Sequence, residues 1–133
     1  MDGLILTPLK EIHNPKGNIY HAMKGSDDEF YGFGEVYFSS INKGEIKGWK
    51  KHTEMILNIV VPKGAIKFVI YDGNSFESVE LSRKNYQRLT ISNGLWLAFQ
   101  GVDKENILLN IANIEHNSTE AVNVDIGSLD YEW

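Results

Sequence analysis

Short stretches of alternating apolar and polar residues, each closed by Gly, Asn, Asp or Ser, fill most of this chain and leave room for little except a β-fold. They occupy residues 4–7, 19–23, 34–39, 45–49, 55–61, 65–71, 76–81, 86–91, 95–100 and 107–113. About ten short strands at such regular spacing predict a sandwich or barrel. Within residues 65–71, Ile66, Phe68 and Ile70 fall on one face and Lys67, Val69 and Tyr71 on the other, because successive strand side chains point in opposite directions. One of the two faces packs into the core. The junctions Pro62-Lys63-Gly64 and Asp72-Gly73-Asn74 carry turn chemistry and predict two hairpins. Residues 82–86 and 117–121 have helix-like composition, but each spans about one turn, too short for a helix to stand alone.

The chain of 133 residues, 42% hydrophobic and 23% charged, has the length and composition of one globular domain covering residues 1–133. Its acidic tail, residues 120–133, is expected to be loosely held, although Tyr131 and Trp133 leave docking open. The longest apolar run, MILNIVVP at residues 55–62, falls far short of the roughly 20 residues a membrane span needs. The first residues, MDGLILTPLKE, lack the basic start of a secretory signal. With no cysteine, a disulfide framework, a thiolate metal site and a cysteine nucleophile are all excluded, and the expected compartment is the cytoplasm. A net charge of −5 opposes nucleic-acid binding. No membrane or nucleic-acid partner is therefore expected, and the predicted partner is a small molecule.

Two motifs carry a family resemblance. Gly44-Glu45-Ile46-Lys47-Gly48-Trp49 is similar to the strand bearing the Arg-Gly-Leu-His motif of the dTDP-4-dehydrorhamnose 3,5-epimerases. Residues 81–99, LSRKNYQRLTISNGLWLAF, resemble that family's LS-x-x-N-x-x-x-L-x-I-P-x-G-F-A-H-G-F segment in register and spacing. Asn14-Pro15-Lys16-Gly17 resembles its early Asp-x-Arg-Gly, and residues 105–120 follow its closing strand. The resemblance implies a double-stranded β-helix, the cupin jelly roll. It also implies a homodimer paired through an edge strand, and a metal-free, cofactor-free isomerase acting on a nucleotide sugar in lipopolysaccharide or other polysaccharide biosynthesis.

Position by position, the resemblance places the family's catalytic His on Lys50, its second motif His on Leu97, its Tyr acid on Leu109 or Asn110, and its motif Arg on Lys47. Lys50 and His52, two apart on a strand, share a face. Lysine can serve as a base when it is shielded from water beside other cations. The sequence reading therefore takes Lys50 as the base, His52 as its orienting partner, and Lys47 as a contact for the diphosphate or an enolate oxygen.

Tyr37, Asn58, Trp96 and Asn110 complete the candidate substrate-binding set. The aromatic residues suit a sugar or base, and an amide inside an apolar strand needs a hydrogen-bond partner or a ligand. Alternation puts Trp96 and Leu97 on opposite faces and leaves open which of them meets the cavity. A cupin metal site of His-x-His, Glu and a later His is not available, because only His52 of that set is present. His13 and His116 sit among turn residues and take no role.

The expected function is proton transfer beside the ketone of a nucleoside-diphosphate 4-keto-6-deoxy sugar. A keto-sugar isomerase of other specificity and a non-catalytic sugar-binding cupin remain as alternatives.

Overall fold

The computed structural model describes residues 1–133. It contains strands β1 (Leu4–Pro8), β2 (Glu11–Ile12), β3 (Ile19–Tyr20), β4 (Glu35–Asn42), β5 (Ile46–His52), β6 (Leu57–Lys63), β7 (Ala65–Tyr71), β8 (Phe76–Ser82), β9 (Gln87–Ile91), β10 (Trp96–Gly101), β11 (Glu105–Ala112) and β12 (Ala121–Asn123). A 3-10 turn at Ile126–Ser128 is the only helical element, and no helix is long and apolar enough to cross a membrane.

One sheet has the order β1-β9-β6-β11-β4 and the other β12-β5-β10-β7-β8, while β2 and β3 form a separate ribbon. All strand pairs are antiparallel. This is the two-sheet jelly roll that the strand spacing and the resemblance predict.

Alternation decides what lies between the sheets. Ile66, Phe68 and Ile70 of β7 meet Leu57, Ile59 and Val61 of β6 and Leu89 and Ile91 of β9 in one apolar core. Burying each such side chain contributes about 1.5–3 kcal/mol.

The two expected hairpins part company here. At Asp72–Ser75 the Asp72 carboxylate accepts from the backbone N–H groups of Asn74 and Ser75, both at 2.8 Å, and β7 pairs with β8 as predicted. Pro62-Lys63-Gly64, by contrast, joins strands of different sheets. It is a corner rather than a hairpin. Gly64 turns it at φ +80°, where an added Cβ would come within 2.1 Å of the Glu105 carbonyl oxygen. Turn residues announce a reversal, but they do not say which sheet receives the next strand.

The outer faces are covered differently. Over the first sheet, the segment between β3 and β4 is held by Arg88, whose side chain is 1% exposed. Its guanidinium donates to the Ala22 carbonyl (2.8 Å), Asp27 (3.2 Å) and Glu29 (2.9 Å).

Over the second sheet lies the tail. Expected to be loose, it instead pairs as β12 with β5 and buries Trp49, Val69 and Ala98 beneath Val124, Leu129, Tyr131 and Trp133. The aromatic residues supply the apolar area that acidic composition conceals.

Candidate active site

A cavity of about 350 Å³ opens between the sheets, lined from β4 by Tyr37 and Ser39, from β5 by Lys47, Gly48, Lys50 and His52, and from β11 by Leu108 and Asn110. Leu57, Ile59, Leu97 and Phe99 form its apolar floor, and Asn123 and Val124 close one side.

Plain alternation would turn Lys47 and Lys50, three apart, to opposite faces. A bulge prevents this. On β10, Leu97 pairs with Lys50 and Phe99 with Lys47, so two steps on one strand oppose three on the other, and both lysines face inward with Leu97 and Phe99. Gly48 sits within the bulge at φ +137°, and a Cβ there would lie 2.5 Å from that of Ala98. Bulge and glycine together bring the basic side chains to one wall. Lys47 reaches across to donate to the Ser40 carbonyl at 2.6 Å.

His52 is the buried titratable group of that wall. Its Nδ1 lies 2.5 Å from Oε1 of Glu120, while Oε2 of Glu120 accepts from the backbone N–H groups of Glu54 (3.2 Å) and Met55 (3.0 Å). Burial opposes ionisation of Glu120. The His52 hydrogen bond and the two backbone donors outweigh it and hold the carboxyl below its ordinary range. A carboxylate only accepts, so Nδ1 of His52 carries a proton, and in the neutral ring the lone pair is left on Nε2. This is the arrangement by which a carboxylate orients a histidine general base. No acidic group pairs with Lys50 or Lys47.

On the opposite wall, Asn110, 2% exposed, donates to the Tyr37 hydroxyl at 3.0 Å. The tyrosine keeps its own O–H to offer elsewhere, and Oδ1 of Asn110 has no partner in the protein. Of the two positions matched to the family's Tyr acid, Asn110 lies on the cavity and Leu109 is turned away from it. Leu97, at the second motif His, is part of the apolar floor.

Five of the seven candidate residues thus gather around one cavity: Lys47, Lys50, His52, Tyr37 and Asn110. Asn58 and Trp96 do not. Asn58 faces the outside of the first sheet, where it accepts from Thr90 (2.6 Å) and donates to the Glu29 carbonyl (3.0 Å); its amide is satisfied within the protein. Trp96 lies on the outer face of the second sheet beneath the tail, with the Lys51 ammonium 4.9 Å from its ring.

The sequence reading missed Glu120, Ser39 and Asn123. Glu120 lies 68 residues from His52, at the start of a tail read as solvated, and no local pattern pairs the two. No three His, Asp or Glu side chains converge as a metal site would require.

Comparisons with known proteins agree with this architecture. No curated protein matches the sequence. A dTDP sugar isomerase from Desulfovibrio desulfuricans G20 superposes with a TM-score of 0.94 at 29% identity, covering 99% of this chain and 91% of that one. The sugar 3,4-ketoisomerase QdtA from Thermoanaerobacterium thermosaccharolyticum, in complex with TDP, gives 0.83 at 18% identity over 92% and 88%. The 3,5-epimerase RmlC from Legionella pneumophila Philadelphia 1 gives 0.84 at 17% identity over 95% and 74%. These last two likenesses speak to the fold. The family model described as FdtA: WxcM-like, C-terminal, matches residues 2–125, nearly the whole sequence, and the chain therefore belongs to that family.

Proposed function

We propose that the protein is an isomerase of a nucleoside-diphosphate 4-keto-6-deoxy sugar that moves the ketone to the neighbouring carbon. The observation that carries this reading is the His52–Glu120 pair, 2.5 Å apart at a cavity wall that also presents two lysines. His52 Nε2 takes the proton from C3, and the electron pair moves into an enediolate spanning O3 and O4. The O3 hydroxyl proton passes to O4, and His52, after exchanging the abstracted proton with solvent, protonates C4, leaving the ketone at C3 and a hydroxyl at C4. Lys50 and Lys47 supply positive charge for the enediolate and the diphosphate, and Tyr37 donates to the sugar oxygens. The role of base read from the sequence for Lys50 thereby passes to His52, because the orienting carboxylate belongs to His52.

Inversion at carbon requires a proton to leave one face and return to the other, so an epimerase needs an acid opposite its base. A shift between adjacent carbons needs one base that serves both. The cavity holds one carboxylate-oriented histidine, and the chain covers 88–91% of the two isomerases but 74% of the epimerase. A variant of QdtA has been crystallised with TDP-4-keto-6-deoxyglucose, which names the substrate to try.

Incubation of that compound with the protein in D₂O, followed by NMR, tests the reading. A 3-keto product with deuterium at C4 supports it. Inverted configuration at C3 or C5 with the ketone still at C4 indicates epimerisation, and binding without exchange indicates a sugar-binding module.

The same reading includes a cytoplasmic homodimer in polysaccharide synthesis. Edge strand β4 turns Val36 and Phe38 outward, the latter 72% exposed, beside Ile107, Leu109 and Ile111 of β11. An apolar strip on a sheet edge is the kind of surface a second copy covers.

A further inference from the structure

The wall of the cavity around His52 is completed by the closing segment. Glu120, Asn123 and Val124 all come from the closing segment, and its last residues lie on the far side of β5 from the cavity.

That segment is tied to β5 along its length. Ala121, Val122 and Asn123 pair with His52, Lys51 and Lys50, and Thr53 donates from its backbone N–H (2.7 Å) and its hydroxyl (2.8 Å) to the Glu120 carbonyl. Trp49 and Val124 exchange backbone hydrogen bonds in both directions at 3.1 Å. The Trp49 indole, wholly buried, donates to the Ile126 carbonyl at 3.0 Å.

Beyond this, the chain closes on itself with aromatic contacts. Tyr131 and Trp133 lie 5.0 Å apart, and their ring centroids are 6.5 and 6.0 Å from that of Trp49. Phe76 is 5.2 Å from Tyr131. The Lys67 ammonium stands 5.0 Å from the Tyr131 ring and 5.5 Å from that of Trp133. β12 is three residues long and sits at a sheet edge, so its few ladder bonds alone hold it weakly. The aromatic cluster supplies the missing burial, and Trp49, between Gly48 and Lys50, connects it to the bulge.

We propose that Tyr131 and Trp133 are positioning residues for the cavity: clasped with Lys67 on the outer face, they hold residues 120–126 against β5 and thereby fix Glu120 on His52 and the Asn123–Val124 side of the wall. These residues touch no substrate. The family match ends at residue 125, ahead of both residues. The kinetic consequence of this latch rests on the proposed isomerase reading; its structural consequence does not.

Two variants separate packing from volume. Tyr131→Ala/Trp133→Ala removes the latch, whereas Tyr131→Phe/Trp133→Phe keeps the rings. The second also deletes the Trp133 indole N–H, which is buried without an acceptor and so is lost without harm. Proton NMR of the substrate-free protein reads the His52 Nδ1–H, which a short bond to a carboxylate shifts strongly downfield. The resonance is expected in the wild type and the Phe variant and lost or exchange-broadened in the Ala variant. In turnover, kcat of the Ala variant should fall about 10²-fold, the scale of a small misplacement of a catalytic group, with KM little changed.

A downfield resonance that survives intact in a folded Ala variant would overturn the proposal. If that variant does not fold, Lys67→Met, which opens one side of the clasp and leaves the apolar packing, should shift or broaden the same resonance, and an unaltered signal there overturns it equally. A wild type that shows the resonance but no isomerisation refutes the functional reading and leaves the latch standing.

Discussion

At Gly48 the positive φ and the 2.5 Å approach to the Ala98 Cβ leave no space for a methyl group. Gly48→Ala should cost about 1–3 kcal/mol, measurable by urea denaturation, and should turn Lys47 out of the cavity, weakening nucleotide binding beyond the stability loss.

Glu120 acts through its charge. Its folded-state carboxyl titrates below the ordinary 4.5, so its contribution to stability is complete above that pH and is lost as pH falls through the lowered folded value. Glutamine would keep the shape but set an NH₂ group against either His52 or the N–H groups of Glu54 and Met55. Glu120→Gln should therefore be less stable than the wild type by about 1–3 kcal/mol at pH 7, and the gap should narrow as pH drops below 4.5. A gap independent of pH would show that the charge is not what matters. The sequence displayed His52 and both lysines but hid Glu120, because a contact made across 68 residues leaves no trace in local spacing.

Elements here are placed by what covers them as much as by their own pattern. Arg88 looks like one polar position in the alternation of β9, yet it ties three groups of the segment between β3 and β4 to the first sheet. Arg88→Met should destabilise by about 3 kcal/mol, toward the lower end for breaking a buried pair, since Asp27 and Glu29 keep some contact with water. Arg88→Lys should recover little of it, because one ammonium cannot span the three acceptors. Thermal melts of the two variants check this.

Strand positions were legible because period-two alternation is a local property. Their sheet membership was not, as the corner at Pro62-Lys63-Gly64 shows. Asn58 and Trp96 were misplaced for a related reason: both faces of each sheet are buried over part of their area, one by the core and the other by a covering segment, so burial or polarity at a strand position does not reveal which side it faces.

For the molecule as a whole, the jelly roll creates the site by setting β5 of one sheet across from β4 and β11 of the other. The resemblance made this arrangement legible, together with Lys50 and His52, but it could not assign their roles, which depend on where Glu120 docks. The exposed strip of β4 and β11 bears on assembly. Phe38→Asp should convert a dimer into a monomer of unchanged fold in light scattering coupled to gel filtration, and a wild type that is already monomeric would remove that part of the reading.

The most direct measurement compares deuterium uptake from D₂O into TDP-4-keto-6-deoxyglucose by the wild type, His52→Asn and Lys50→Met. The account predicts exchange by the wild type, a loss of about 10²–10⁴-fold in His52→Asn, as for removal of a general base, and a smaller loss in Lys50→Met. Exchange that persists in His52→Asn but disappears in Lys50→Met would contradict it and return the role of base to the lysine.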